Sequence, residues 1–148
     1  MTSPEQSRQL ASHLQTVLEL ARGAEKKNPA VEEGLTPQEL RVLSAVGREK
    51  TCIMSKIASA ICLSLSSCTG LIDRLVEKRL VCRDRDANDR RVVSVSLTAQ
   101  GEKLHESAQR GTVEFARGLL EGLEPEEQEA LVALLGKVSK RIEREKAA

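Results

Sequence analysis

Three observations predict a mainly α chain (α+β) with a single β-hairpin. Apolar residues recur at helical spacing through most of the 148 residues. Strict alternation occurs in one place, where Val93, Val95 and Leu97 interleave with Ser94 and Ser96. The joints between these patterns are short and carry capping or breaking residues. A chain of this length forms one domain, or one domain with helical extensions.

The first helix starts near Ser3-Pro4, a cap followed by proline at the first helical position, with Leu10, Leu14, Val17, Leu18 and Ala21 on one face. It fades between Gly23 and Gly34, where Lys26-Lys27-Asn28-Pro29 breaks the pattern. Helix resumes at Leu35-Thr36-Pro37-Gln38-Glu39, with Thr36 as N-cap and Glu39 placed for a capping box. Leu40, Leu43 and Val46 form its apolar face, and Gly47 is expected to close it. A short helix over Met54 to Ile61 turns Ile57, Ala58 and Ile61 inward, and a longer one from about Ser64 to Lys78 buries Cys68, Leu71, Ile72 and Leu75. Beyond the hairpin, one helix starts at Thr98 and runs through Leu104, Ala108, Phe115 and Leu119. The last begins at Pro125 and carries Leu131, Leu134, Leu135, Val138 and Ile142.

The alternating segment needs a partner strand, and Val81-Cys82-Arg83 supplies one, leaving Asp86-Ala87-Asn88-Asp89-Arg90-Arg91 as a charged hairpin tip. Net charge is only +1, but seven bases face four acids between Arg74 and Arg91. The positive field is therefore local, and it is balanced by the glutamate-rich C-terminal third. Phe115 is the sole aromatic residue, which argues against single-strand binding by base stacking and leaves duplex binding open. The short helix, a tight turn at Cys62-Leu63 and the helix opening with Ser64, Ser66, Ser67 and Thr69 form a helix-turn-helix. Small hydroxyls at a helix start suit phosphates and base edges. Taken alone they would be N-caps and solvated surface. Followed at once by a basic hairpin, they read as a winged helix-turn-helix that binds double-stranded DNA.

These residues resemble the MarR family of winged-helix transcriptional regulators over nearly the whole chain. The resemblance rests on Leu35-Thr36-Pro37-Gln38 with Leu43, on Ile57-Ala58, and on Thr69 with Leu71-Ile72-Asp73-Arg74-Leu75. Leu80-Val81-x-Arg83, Asp89-Arg90-Arg91 and Ser96-Leu97-Thr98-x-x-Gly101 then follow in the family's order. It implies a homodimer in which residues 1–34 and 99–148 are dimerisation helices and residues 35–98 are the DNA-binding lobe. It further implies recognition helices in successive major grooves and wings in the flanking minor grooves. Ser64, Ser66, Ser67, Thr69, Arg74, Arg90 and Arg91 become the candidate DNA contacts, with Arg91 at the minor groove. Asp73 and Asp89 become structural residues of the wing, with Arg90 and Asp89 expected to fix it through ion pairs with Asp73 or Arg74. The long arms carry apolar stripes that a symmetric partner would cover.

The chain also departs from the family. Cys62 stands where most members have a turn glycine, Arg79 where they have a glycine after the recognition helix, and Leu65 and Gly70 where polar or basic residues are usual. The operator sequence therefore cannot be borrowed from relatives. Of the four cysteines, Cys52 and Cys68 fall at apolar positions, while Cys62 and Cys82 are the candidates for a thiol switch beside Lys56 or Arg83. No cysteine or histidine spacing supports a zinc site, and no cofactor is implied. Family resemblance points to a small phenolic or anionic effector in a cleft, for which His13, Arg22 and Arg41 are the candidate lining.

The expected function is a ligand-responsive repressor released from a pseudo-palindromic operator. The alternatives are a redox-sensing regulator of the same fold, and a helical dimer acting through protein contacts without DNA. An enzyme is not expected, because no nucleophile–base–carboxylate set or phosphate loop is present and His13 and His105 read as arm-surface residues. No run approaches the length of a membrane span and no signal pattern opens the chain, so a cytoplasmic location is expected.

Overall fold

The computed structural model describes residues 2–148. They form two compact units, residues 2–113 and Glu114–Ala148. In the first unit α1 (Pro4–Lys26) is followed by α2 (Pro29–Glu32), α3 (Pro37–Glu49), β1 (Thr51–Ile53), α4 (Met54–Ala60), α5 (Leu65–Glu77), β2 (Val81–Arg85) and β3 (Val93–Leu97). Helix α6 (Ala99–Leu120) begins there, and its end joins α7 (Pro125–Ala147) in the second unit. The architecture is mainly α with a small sheet, as the sequence predicts.

Helix starts follow the capping chemistry. Ser3 caps α1 in a full capping box with Gln6, and Thr36 caps α3 in another with Glu39. Two boundaries differ from expectation. α1 continues through Gly23 to Lys26, and the break at Asn28-Pro29 starts α2, with the Asn28 side chain as its cap. Gly47 does not end α3. The helix runs on to Glu49 and stops at Lys50, whose φ is +58°. Gly47 instead makes room for a neighbour, since a Cβ there would lie 2.6 Å from the His105 ring. His105 is accordingly half-buried against α3 rather than an arm-surface residue, and its Nδ1 is buried without a hydrogen-bond partner among the described residues.

The sheet has three antiparallel strands in the order β1-β3-β2. The predicted hairpin is its β2–β3 half, with Val81 opposite Leu97 and Arg85 opposite Val93. The third strand, β1, was not foreseen; it places Cys52 opposite Val95. The core lies between this sheet and helices α3, α4 and α5, where Leu43, Val46, Ile57, Ile72, Leu75 and Val95 are fully buried. α1 and α7 have no buried residue. Leu10, Leu14 and Leu18 on α1 are about half exposed, as are Leu134, Leu135 and Val138 on α7.

Candidate nucleic-acid interface

The axes of α4 and α5 turn by 106° across the break between them, within the range of a helix-turn-helix. The turn is a Schellman cap on α4. Leu63 N–H donates to Ala58 O (3.0 Å) and Cys62 N–H to Ser59 O (3.3 Å), with Cys62 in the left-handed region at φ +55°. The far end of α5 repeats the device. Leu80 N–H donates to Leu75 O and Arg79 N–H to Val76 O (both 2.9 Å), with Arg79 at φ +60°. Both positions therefore hold a conformation that glycine favours, in residues that carry a Cβ, at about 1 kcal/mol each.

α5 presents Leu65, Ser66, Ser67, Gly70, Arg74 and Glu77 outward and buries Cys68, Leu71, Ile72 and Leu75, as its periodicity predicts. The hydroxyls are largely committed within the helix. Ser64 Oγ accepts from Ser67 N–H (3.2 Å) and donates to Ser67 Oγ (2.9 Å), and Thr69 Oγ1 donates to Leu65 O (2.8 Å). Gly70 opens onto empty space, with nothing within 4 Å of a built Cβ.

Acidic residues organise the wing from within. Asp86 Oδ1 accepts from Asn88 N–H (2.7 Å) and Asp89 N–H (3.3 Å), and Asp86 N–H donates to Val92 O (3.0 Å). Asp89 Oδ1 accepts from both the backbone N–H (3.0 Å) and Nε (3.1 Å) of Arg91. These bonds, the Arg91 side chain first, hold the Asp89 carboxyl below the usual aspartate range. The pairing differs from the expectation: Asp89 holds Arg91 rather than Arg74, and Asp73 holds Arg83 (2.6 Å) rather than Arg90. Asp73 and Arg83 thereby strap the recognition helix to β2. Arg91 remains 92% exposed at its side chain. Arg74 and Arg90 take part in no ion pair among the described residues.

Two supports of α5 were not visible in the sequence. Lys78 Nζ donates to Glu39 Oε2 (2.6 Å) and to Gly34 O (3.0 Å), pinning the end of α5 to the capped start of α3, where the Glu39 side chain is 3% exposed. Thr98 Oγ1 donates to Arg79 O (2.7 Å) and Thr98 N–H to Leu80 O (3.0 Å), so α6 starts on the residues that end α5.

The remaining candidates are dispersed. Arg41 on α3 donates to Glu25 on α1 (3.1 Å). His13 and Arg22 are exposed on α1, nine residues and so roughly 14 Å apart along the helix axis. Cys62 and Cys82 are exposed, and Cys82 Sγ lies 3.2 Å from Ser96 Oγ. Cys52 and Cys68 are buried, and burial pushes both thiols above their ordinary range. Among the described residues no group of three or more His, Cys, Asp or Glu is placed to hold a metal ion. No single helix among them is long and apolar enough to cross a membrane.

A family model described as the MarR family matches residues 35–93, from two residues before α3 to the first residue of β3. The uncharacterized HTH-type transcriptional regulator YfiV of Bacillus subtilis (strain 168) is 35% identical over 109 residues, covering 73% of this chain and 68% of that protein. The HTH-type transcriptional repressor MdtR of the same organism is 30% identical over 111 residues, covering 75% of this chain and 72% of that protein. A solved structure of BpsR from Bordetella bronchiseptica, described as showing regulation of DNA binding by 6-hydroxynicotinic acid, matches with a TM-score of 0.71 and 27% identity. That match covers 88% of this chain and 98% of BpsR. With the helix-turn-helix, the wing and the matched sequence in agreement, the chain belongs to the MarR family of DNA-binding transcriptional regulators.

Proposed function

We propose that this regulator is a homodimeric repressor that leaves a pseudo-palindromic operator when a small phenolic or anionic molecule binds. The observation that carries the reading is the wing. Its acids are spent on internal hydrogen bonds and on Arg91, while Arg90 and the end of Arg91 face solvent. A tip built in this way offers cations to a narrow minor groove, where negative potential is concentrated. Arg74 on α5 serves the phosphate backbone, and Ser64, Ser66, Ser67 and Thr69 face the major groove in this reading.

Dimerisation is supported by the arms. Leu10, Leu14 and Leu18 recur at four-residue spacing on α1, and Leu134, Leu135, Val138 and Ile142 form a stripe on α7, all at least 41% exposed. Stripes of this kind are stable in water when a second copy covers them. The effector class follows the BpsR relative, whose DNA binding is regulated by 6-hydroxynicotinic acid. An anion reaching Arg41 must displace Glu25, which makes that pair the natural point of competition. His13 and Arg22, nine residues apart on α1, fall on opposite faces of that helix and do not share a lining with each other.

The test is a titration of duplex DNA from the region flanking the chain's own gene, with sedimentation of the free protein. One dimer per pseudo-palindrome is expected, with half-sites about ten base pairs apart. Arg91→Ala should weaken binding and lower the salt slope by about one. Equal, salt-insensitive binding by wild type and variant would sink the reading in favour of a dimer that acts without DNA. A second reading, release by thiol oxidation, is favoured by the exposure of Cys62 and Cys82. Unchanged DNA binding after peroxide, with mass spectrometry showing oxidised thiols, would remove it.

A further inference from the structure

Leu65 is the large apolar residue that opens the recognition helix. It is the first residue after the Ser64 cap and is 56% exposed, while the apolar residues one and two turns further on are in the core. Its neighbours narrow what the helix can read. Sequence-specific base pairs are usually discriminated by bidentate donors such as Arg, Lys, Asn or Gln. The outward residues from Leu65 to Gly70 include none of these. Ser64 and Thr69 donate their hydroxyl protons inside the helix, which leaves the single hydroxyls of Ser66 and Ser67 as the polar groups there. Gly70 adds no side chain and leaves open space above the helix, so the backbone can lie close to a base edge. Beside these small hydroxyls, which discriminate bases weakly, the one bulky side chain at the leading end is a branched hydrocarbon.

The matching feature on DNA is also a hydrocarbon. In the major groove thymine alone presents a methyl group, and apolar side chains recognise it by contact. We infer that Leu65 is a specificity-determining residue that reads a thymine 5-methyl group in each operator half-site. The inference rests on the DNA-binding reading above, with the recognition helix in the major groove. It deepens that reading by naming the base. Selectivity then comes from desolvating a methyl against Leu65, with Arg74 and the wing supplying affinity that depends little on sequence.

The experiment isolates that methyl. A randomised 30-base-pair duplex library is enriched on the full-length wild-type protein, and the selected duplex is resynthesised with deoxyuridine in place of individual thymines. Affinities are read by fluorescence anisotropy for wild type, Leu65→Ala and the volume-conserving Leu65→Met. Losing one buried methyl should weaken wild-type binding about fourfold, and losing the symmetric pair about fifteenfold. Leu65→Ala should bind the thymine duplex correspondingly more weakly and no longer distinguish thymine from deoxyuridine there, whereas Leu65→Met should retain the preference. Leu65 is exposed, so a thermal melt of Leu65→Ala should match wild type. Equal wild-type affinity for both duplexes overturns the inference and leaves DNA binding standing. An equal thymine preference in wild type and Leu65→Ala also overturns it, because the methyl is then read elsewhere or through DNA shape. Failure to enrich any duplex removes DNA binding and this inference together.

Discussion

Replacing Gly101 by alanine tests how tightly the recognition helix is joined to α6. A Cβ built at Gly101 lies 2.0 Å from the Leu80 carbonyl oxygen, 3.0 Å from its carbonyl carbon and 3.3 Å from Leu97 Cβ. The nearest atom is backbone, so no rotamer change relieves the overlap, and the chain must move by about 1 Å. Overpacking of this kind costs about 1–3 kcal/mol. The movement also pulls on the Thr98 N–H bond to Leu80 O (3.0 Å) and the Gly101 N–H bond to Thr98 Oγ1 (3.1 Å). Each such bond is worth about 1 kcal/mol. Alanine returns about 1 kcal/mol through helix propensity. The expected net loss is about 2–4 kcal/mol, which lowers Tm by roughly 10 °C. Differential scanning calorimetry of Gly101→Ala beside Gly70→Ala measures it, because Gly70 is also helical but opens onto empty space. Gly70→Ala should gain up to about 1 kcal/mol. If the two variants melt alike, the close approach of α6 to Leu80 is not a constraint on the fold and the reasoning fails.

Further predictions follow from the other contacts. Lys78→Ala strands the buried Glu39 carboxylate, and because Lys78 itself is partly exposed a loss of about 2 kcal/mol is expected in urea unfolding. In native protein a thiol reagent should label Cys62 and Cys82 quickly and reach Cys52 and Cys68 only on unfolding. Because burial raises the pKa of the two inner thiols, their contribution to stability is complete below the ordinary thiol range and is lost as pH climbs through the raised values. Asp89 behaves oppositely. Its carboxyl is held low by Arg91, so wing-tip order persists above the ordinary aspartate range and is lost as pH falls through the depressed value, as the Arg91 amide shift in NMR should report; a tip insensitive to acid would count against the pairing. Leu135→Arg, on the exposed stripe of α7, should shift sedimentation from dimer to monomer without changing helix content.

What was legible in the sequence was what local chemistry determines. Thr36-Pro37-x-Glu39 announces a helix start because the cap and its reciprocal partner are three residues apart, and the structure forms that box. Val93 to Leu97 declares a strand by its period, and Ile72 and Leu75 declare a buried face by theirs. Strand β1 escaped because three residues are too few to show alternation, and its partner Ser96 lies far along the chain from Thr51. Gly47 was misread for a related reason: glycine near a helix end suggests a stop, but here its value is the space it leaves for His105. At the candidate site the exposed arginines and the hydroxyl-rich helix start were recognisable. The pairings Asp73–Arg83, Asp89–Arg91 and Glu39–Lys78 were not, since several oppositely charged neighbours were available and only the fold selects among them.

The two left-handed residues that bracket α5 have a consequence for the unfolded chain. Cys62, in the cap that closes α4, and Arg79, in the cap that closes α5, hold conformations that glycine adopts freely, at a backbone cost that the surrounding contacts must offset. The far end is held in that conformation by Thr98, which bonds to Arg79 O and Leu80 O, while Ile72 and Leu75 fix the middle of α5 in the core. Glycine at either position would relieve that strain but add freedom to the unfolded chain, so the side chains at Cys62 and Arg79 exchange backbone ease for a better-defined junction at each end of α5.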